Sequence, residues 1–250
     1  MKNALSNIRL PWLIFTLLVF TALVKLGLWQ SERALEKETR LINIERLSQT
    51  SAMSLHEIDN FPLDEINDFP IKLTGTFEKE TLFFLDNQTN SGRLGYRVYQ
   101  VLNVQDKSVL VNLGWVIGSI SRNELPNIKA ITGSHEINGH IRLIEKGILL
   151  MEQEFSEVTW PLRVQQIELD KFSTLTNMPL LPFVIYLNEE ESLGYKKNWQ
   201  PIVMPPEKHR AYAFQWFSLA IAWLLLMLWA SIKFNVKTLN SSKLNSNKTE

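Results

Sequence analysis

Two nearly charge-free runs, each about the length of a membrane-crossing helix, limit what this chain can fold into. The first is LPWLIFTLLVFTALVKLGLW, Leu10 to Trp29, broken only by Lys25. The second is YAFQWFSLAIAWLLLMLWASI, Tyr212 to Ile232, with no charge in its 21 residues. A helix needs roughly 20 apolar residues to cross the hydrocarbon core, where every backbone polar group must be satisfied internally. Lys25 stands one turn before Trp29, near enough to the exit for its stem to reach the headgroups. Trp12, Trp29, Trp216 and Trp229 fall toward the ends of the runs, as an aromatic belt places them. A cleaved signal peptide is the alternative for the first run. Its apolar core exceeds the roughly 7–15 residues usual there, and no Ala-x-Ala-like site follows closely. The run reads as an uncleaved anchor.

The charges decide the expected orientation. Before the first run stand Lys2 and Arg9; after the second stand Lys233, Lys237, Lys243 and Lys248 against Glu250. The tails thus carry +5, whereas the stretch between the runs holds 19 Lys and Arg against 25 Asp and Glu. Short basic tails stay in the cytoplasm, so both termini are expected inside and the acidic middle outside. The expected organisation is a cytoplasmic tail (1–9), a span (10–29), an extracytoplasmic domain (30–208), a second span (209–232) and a cytoplasmic, disordered tail (233–250). In a bacterium the domain is periplasmic and the chain a multi-pass protein of the inner (plasma) membrane. Membrane lipid is an expected partner and nucleic acid is not.

The middle reads as helix and then strands. Gln30 to about Ser54 continues the first anchor as a helix, with Leu28, Leu35 and Ile42 seven apart. From Ile71 the pattern turns to short β-branched and aromatic runs. The candidates are Ile71–Phe77, Thr81–Leu85, Tyr96–Val104, Ser108–Ile117, Ile137–Glu145 and Pro182–Leu187. Gln105-Asp106-Lys107 reads as a hairpin loop and Val164–Thr176 as a helix. The fold class expected is membrane-anchored α+β. Two transmembrane helices flank a β-rich extracytoplasmic domain, an antiparallel sheet or a partly closed barrel.

Chemistry is sparse in that domain. Cysteine is absent, which excludes disulfides, thiolate metal sites, iron–sulfur clusters and thioether-attached haem. No nucleophile elbow, zincin motif, P-loop or dinucleotide fingerprint is present, so an enzyme is not expected. His135 and His140 flank Gly139 with no completing ligand set. Gly95-Tyr96 and Asn112 to Val116, including Gly114 and Trp115, read as tight backbone approaches beside aromatic rings, for which sheet packing is the plain account.

The stretch PPEKHRAYAFQWFSLA, Pro205 to Ala220, is different. Pro206 suits the first position of a helix and Glu207 its positive end, so His209 falls in the first turn. A helix N-terminus favours the neutral imidazole, the form that ligates metal. Helical spacing from His209 runs through Tyr212, Ala213, Trp216, Ala220 and Trp223. Such a stripe suits a flat ring system beneath an axial ligand. It equally suits packing against the first helix.

Five stretches, taken in order, resemble one family. They are WQSERALEK (Trp29 to Lys37), LTGTF (Leu73 to Phe77), GYRVYQVL (Gly95 to Leu102), VLVNLGWV (Val109 to Val116) and NWQPIVMPPEKHRAYAFQWFSLA (Asn198 to Ala220). The set is similar to the Surfeit locus protein 1 family of cytochrome c oxidase assembly proteins. The resemblance implies a role in maturing the haem a-containing subunit I, with haem a as a transient cofactor and subunit I and haem a synthase as partners. It implies His209 as the axial iron ligand, Tyr212 and Trp216 as pocket walls, and Gly95, Tyr96, Asn112, Gly114 and Trp115 as shapers of the outer domain or contacts for a partner. Leu113 departs from the family's usual Asn-Arg-Gly-Trp-Val, so any contact made through that arginine is missing here. A cofactor-free scaffold binding oxidase subunits is the alternative. A polysaccharide chain-length regulator shares the two-span layout, but its outer domain is dominated by long helices.

Overall fold

The structure, a computed structural model, describes residues 10–119, 124–144, 155 and 158–246, with backbone only over 235–246. It divides into two compact units. One carries the two apolar helices; the other spans Asn43–Gln200.

In the helical unit, α1 (Leu10–Ser48) runs without a break, as expected from a stretch holding only one Gly and, past its start, no Pro. Helix α4 (Pro206–Ser246) opens on the proline and passes beyond the apolar run, so the backbone of the tail expected to be disordered is helical to Ser246. Both are long and apolar enough to cross a membrane, and their apolar windows are only 6% buried. A core helix of a water-soluble domain would bury most of that surface. These faces need an apolar solvent.

The two helices meet along one stripe and run antiparallel. Trp223 Nε1 donates to the Thr16 carbonyl at 3.1 Å, near one end, and Arg210 pairs with Glu38 at 2.5 Å, near the other. Between them a side chain at Gly27 would lie 2.6 Å from the Phe217 ring, so any larger residue would push that ring out of the present contact. Ala34, Ala213 and Ala220 are buried in the same stripe. Lipid tails are as apolar as these side chains, so close backbone approach and dispersion hold the pair together.

The second unit is a curled sheet. Strands β1 (Pro70–Asn90), β2 (Arg93–Val104), β3 (Lys107–Ile117), β4 (Gly133–Arg142), β5 (Leu162–Val164) and β6 (Leu180–Leu187) pair in the order β2-β3-β6-β4-β1-β5. A further β1–β2 pairing closes the ring. Closure is narrow: Thr76 and Phe77 pair with β2 on one side and β4 on the other. A partly closed barrel is what the sequence leads one to expect, but the sheet is mixed, since β3–β6 and β1–β5 are parallel.

Several boundaries differ from the sequence reading. Ile71–Phe77 and Thr81–Leu85 belong to one strand, with a register shift between Phe77 and Leu82. The fully buried Gln100 bridges that irregularity, donating to the Glu78 and Ile131 carbonyls at 2.8 Å each and accepting from Ile131 N at 3.0 Å. A buried amide is tolerable only when satisfied in this way. Lys107 already belongs to β3, leaving Gln105 and Asp106 as the turn. The expected helix from Val164 shortens to α3 (Leu169–Thr176), because Val164 ends β5. Helix α1 stops at Ser48, and Ser54 instead caps the short α2 (Leu55–Ile58) with a complete capping box. Glu145 lies outside the described residues.

Alternation along the strands builds two cores. Ile71, Leu73, Val98, Leu102, Val111 and Ile185 fill the barrel interior. Phe83, Tyr99, Val101, Leu110 and Val184 face the other way and are covered by Phe172 of α3. Such a strand-built unit sets the chain apart from the long-helix layout of chain-length regulators.

Candidate functional site

His209 lies in the first turn of α4 and is 9% exposed. Its Nδ1 stands 2.7 Å from Gln30 Oε1 on α1. A carbonyl oxygen only accepts, so Nδ1 carries the hydrogen, which in a neutral ring leaves the lone pair on Nε2. Nε2 makes no hydrogen bond among the described residues. One imidazole nitrogen is therefore tied and the other is available. Tyr212 is 45% exposed and Trp216 half-buried. Ala213, Ala220 and Phe217 are instead drawn into the contact with α1. The stripe below the histidine thus serves helix packing in large part, the second of the two uses its composition allowed.

The other singled-out residues lie in the sheet unit. Tyr96 is a core residue, edge-on to Phe84 at 5.6 Å. Gly95 packs against the ring of Trp115, whose Nε1 donates to the Gln88 carbonyl at 2.8 Å. Gly114 has φ of +111°, and a side chain there would meet the backbone of Tyr195 at 2.8 Å. That freedom lets the chain near Tyr195 lie along β3: Tyr195 N donates to the Leu113 carbonyl at 2.6 Å, and Trp115 N to the Lys196 carbonyl at 2.8 Å. Asn112 Oδ1 accepts from Gly114 N at 2.9 Å. Leu113 is unpaired in the β2–β3 register and fully buried in the barrel core, so in this chain its position belongs to the interior.

These contacts shape a cleft lined by Arg97, Asn112, Gly114, Tyr186, Lys197 and Trp199, among others. Three of the five quoted stretches converge there.

The comparisons fit this geometry. A model of the SURF1 family matches residues 17–221, from within α1 to within α4. The chain belongs to the SURF1 family. A SURF1-like protein of Rickettsia felis is 27% identical over 234 residues, covering 89% of this chain and 97% of that protein. A SURF1-like protein of Rickettsia conorii is 27% identical over 220 residues, covering 84% of this chain and 86% of that protein. The SURF1 family is linked to cytochrome c oxidase assembly. Its match takes in both the His209 turn and the cleft of the sheet unit.

Beside the cleft sits an aromatic and charged cluster that the sequence did not single out as such. The Trp199 ring lies 4.3 Å from His140 and 5.6 Å from Tyr186, with the Arg142 guanidinium 5.0 Å over it. Tyr186 and Tyr99 join hydroxyls at 3.1 Å. Burial pushes the His140 imidazole down to about 4, against a hydrogen bond to Asn188 that favours the charged form. His135 is held apart, bonded to the Thr132 carbonyl at 2.9 Å. Among the described residues no group of three His, Cys, Asp or Glu is placed to hold a metal. Gln30, Arg97 and Trp199 fall inside quoted stretches, which was the signal available for them; nothing local marked Lys197.

A pH dependence follows from His140. The unfolded imidazole, with a pKa near 6.5, binds a proton that the folded one refuses until pH is about 4. Stability from this group is complete above about 6.5 and drains away as pH falls through that window, by about 3 kcal/mol in all. Urea unfolding between pH 4 and 7 is expected to show this slope in the native chain and a flatter one in His140→Phe.

Proposed function

We propose that this chain assists cytochrome c oxidase assembly by holding haem a through His209 and passing it to subunit I in concert with haem a synthase. The single observation that supports the reading is the half-tied imidazole: Nδ1 bound to Gln30 at 2.7 Å, Nε2 uncommitted, at the start of an apolar helix. A neutral imidazole nitrogen is a suitable axial donor for haem iron, and a carbonyl fixing the opposite nitrogen is the usual way such a ring is oriented. Haem a, when bound, supplies the redox iron that the oxidase needs; the chain itself supplies position and an apolar surround. Trp216 and the exposed Tyr212 are the ring walls in this reading. Both termini lie in the cytoplasm and the sheet unit in the periplasm of the bacterial inner membrane, supported by the tail charges and by the antiparallel helix pair.

The test is the visible spectrum of the full chain purified from cells that make haem a. A haem band present in the native chain should vanish in His209→Ala. In Gln30→Ala the band should remain, with haem affinity about 10–100-fold weaker, the usual effect of losing an orienting partner. Full occupancy in His209→Ala removes the ligand assignment.

The packing of Gly27 against Phe217 favours a second reading, a cofactor-free membrane scaffold that binds oxidase subunits, because the face below His209 is already partly filled. Crosslinks to oxidase subunits with no haem at any stoichiometry would select it.

A further inference from the structure

The cleft of the sheet unit has a charge imbalance that the role at His209 does not use. Its eight lining residues include two cations, Arg97 and Lys197, and no acid. The acids close by are already engaged. Asp68 pairs with Arg142 at 2.6 Å, and Glu191 accepts from Asn138 N at 3.0 Å and from Asn138 Nδ2 at 3.4 Å. Arg97 has no carboxylate partner among the described residues, and its Nε is buried without a hydrogen bond. An unpaired guanidinium N–H removed from water is costly and calls for an acceptor. Lys197 spends part of its donor capacity on the Glu191 carbonyl at 2.6 Å and on the Leu193 carbonyl. Desolvation pulls its ammonium below the ordinary value, and the Glu191 charge nearby offsets this only in part.

Geometry selects the kind of anion. The Arg97 guanidinium lies 5.7 Å over the Tyr186 ring, which occupies one face, and Tyr99 engages part of its edge, while Nε–H is left without a partner. A guanidinium edge matches the two oxygens of a planar carboxylate. Tyr186 and Trp199 supply flat apolar walls, and Gly114 and Asn112 hold the floor through the 2.9 Å bond between them.

We propose that this cleft binds a carboxylate between Arg97 and Lys197, beside the rings of Tyr186 and Trp199. The carboxylate belongs either to a small organic acid or to an acidic side chain of a polypeptide, and the two share the same recognition chemistry.

The experiment follows the Arg97 Nε–H signal of the full chain, labelled with ¹⁵N-arginine in lipid nanodiscs and assigned by Arg97→Lys. Sodium acetate, a short Asp/Glu peptide and sodium phosphate are titrated separately, each against sodium chloride at equal ionic strength. A saturable shift with acetate or the peptide, absent with chloride, is expected. Lys197→Gln should weaken it about tenfold, the usual effect of losing a charged hydrogen bond, and Lys197→Arg should largely retain it. Since Lys197 also holds two backbone carbonyls, each variant is first checked for native melting temperature. Should Lys197→Gln fail that check, Lys197→Met takes its place with the same weakening expected, and Lys197→Arg remains the variant that retains binding. Tighter binding of the peptide than of acetate assigns the polypeptide source; equal or weaker binding assigns the small acid. A shift that merely tracks ionic strength, unchanged affinity in folded Lys197→Gln, or tighter binding of phosphate than of any carboxylate overturns the proposal.

Discussion

Replacing Phe83 by alanine should destabilise the sheet unit by about 3–5 kcal/mol, the range for deleting a buried aromatic ring. Phe83 is fully buried and stacks on Phe172 at 4.2 Å and 17°, with Trp160 edge-on at 5.1 Å. In the β-ladder it stands between Tyr99 of β2 and Leu162 of β5. One ring therefore joins α3, the barrel wall and the short parallel strand. Its neighbours are themselves large rings anchored in separate elements, so the cavity left by alanine closes poorly. The measurement is urea unfolding of the full chain in detergent, followed by circular dichroism in the strand region. The midpoint should fall with little change in slope, because the surface exposed on unfolding is nearly the same. A loss under 1 kcal/mol would mean that α3 does not seal this face.

Asp68→Ala should have a comparable effect, about 3–5 kcal/mol, for a different reason. The Asp68 and Arg142 side chains are 7% and 15% exposed, and they meet at 2.6 Å. Removing the carboxylate leaves a cation with little water around it, which costs more than the pair itself contributes. Arg142 also lies 5.0 Å over Trp199, a wall of the carboxylate cleft. Loss of Asp68 should therefore loosen Trp199 as well as lower stability. Arg142→Ala alone should be costly in the same way, and the double variant should cost clearly less than the two single losses added together. Additive losses would show that the pair is not the source of the effect. Comparing unfolding midpoints with the Trp199 indole resonance reads both consequences.

Much of the architecture was legible along the chain, because it rests on local patterns. Length without charge marked both helices, and Pro206 with Glu207 marked the start of α4 close to its observed position. Residue alternation located five strands within a few positions, although a register shift was needed to show that two candidate runs are one strand. The three-residue β5 escaped notice: three residues carry too little period, and only pairing with Phe83–Leu85 makes Leu162–Val164 a strand. The parallel β3–β6 pairing was equally hidden, since a strand's own pattern does not name its neighbour.

The candidate sites divide in the same manner. His209 could be picked out from spacing and a helix start, but its partner Gln30 lies 179 positions away, and only the helix pairing chooses it. The cleft draws Arg97, Asn112, Tyr186 and Lys197 from separate strands and from the segment laid on β3. Composition and hydrophobic period, which act over a few residues, sufficed for two membrane helices around a β-rich unit. Which side chains face one another was decided by the folded chain alone. Close packing and ladder register bring distant residues together through many weak contacts, and none of those contacts is written at either position.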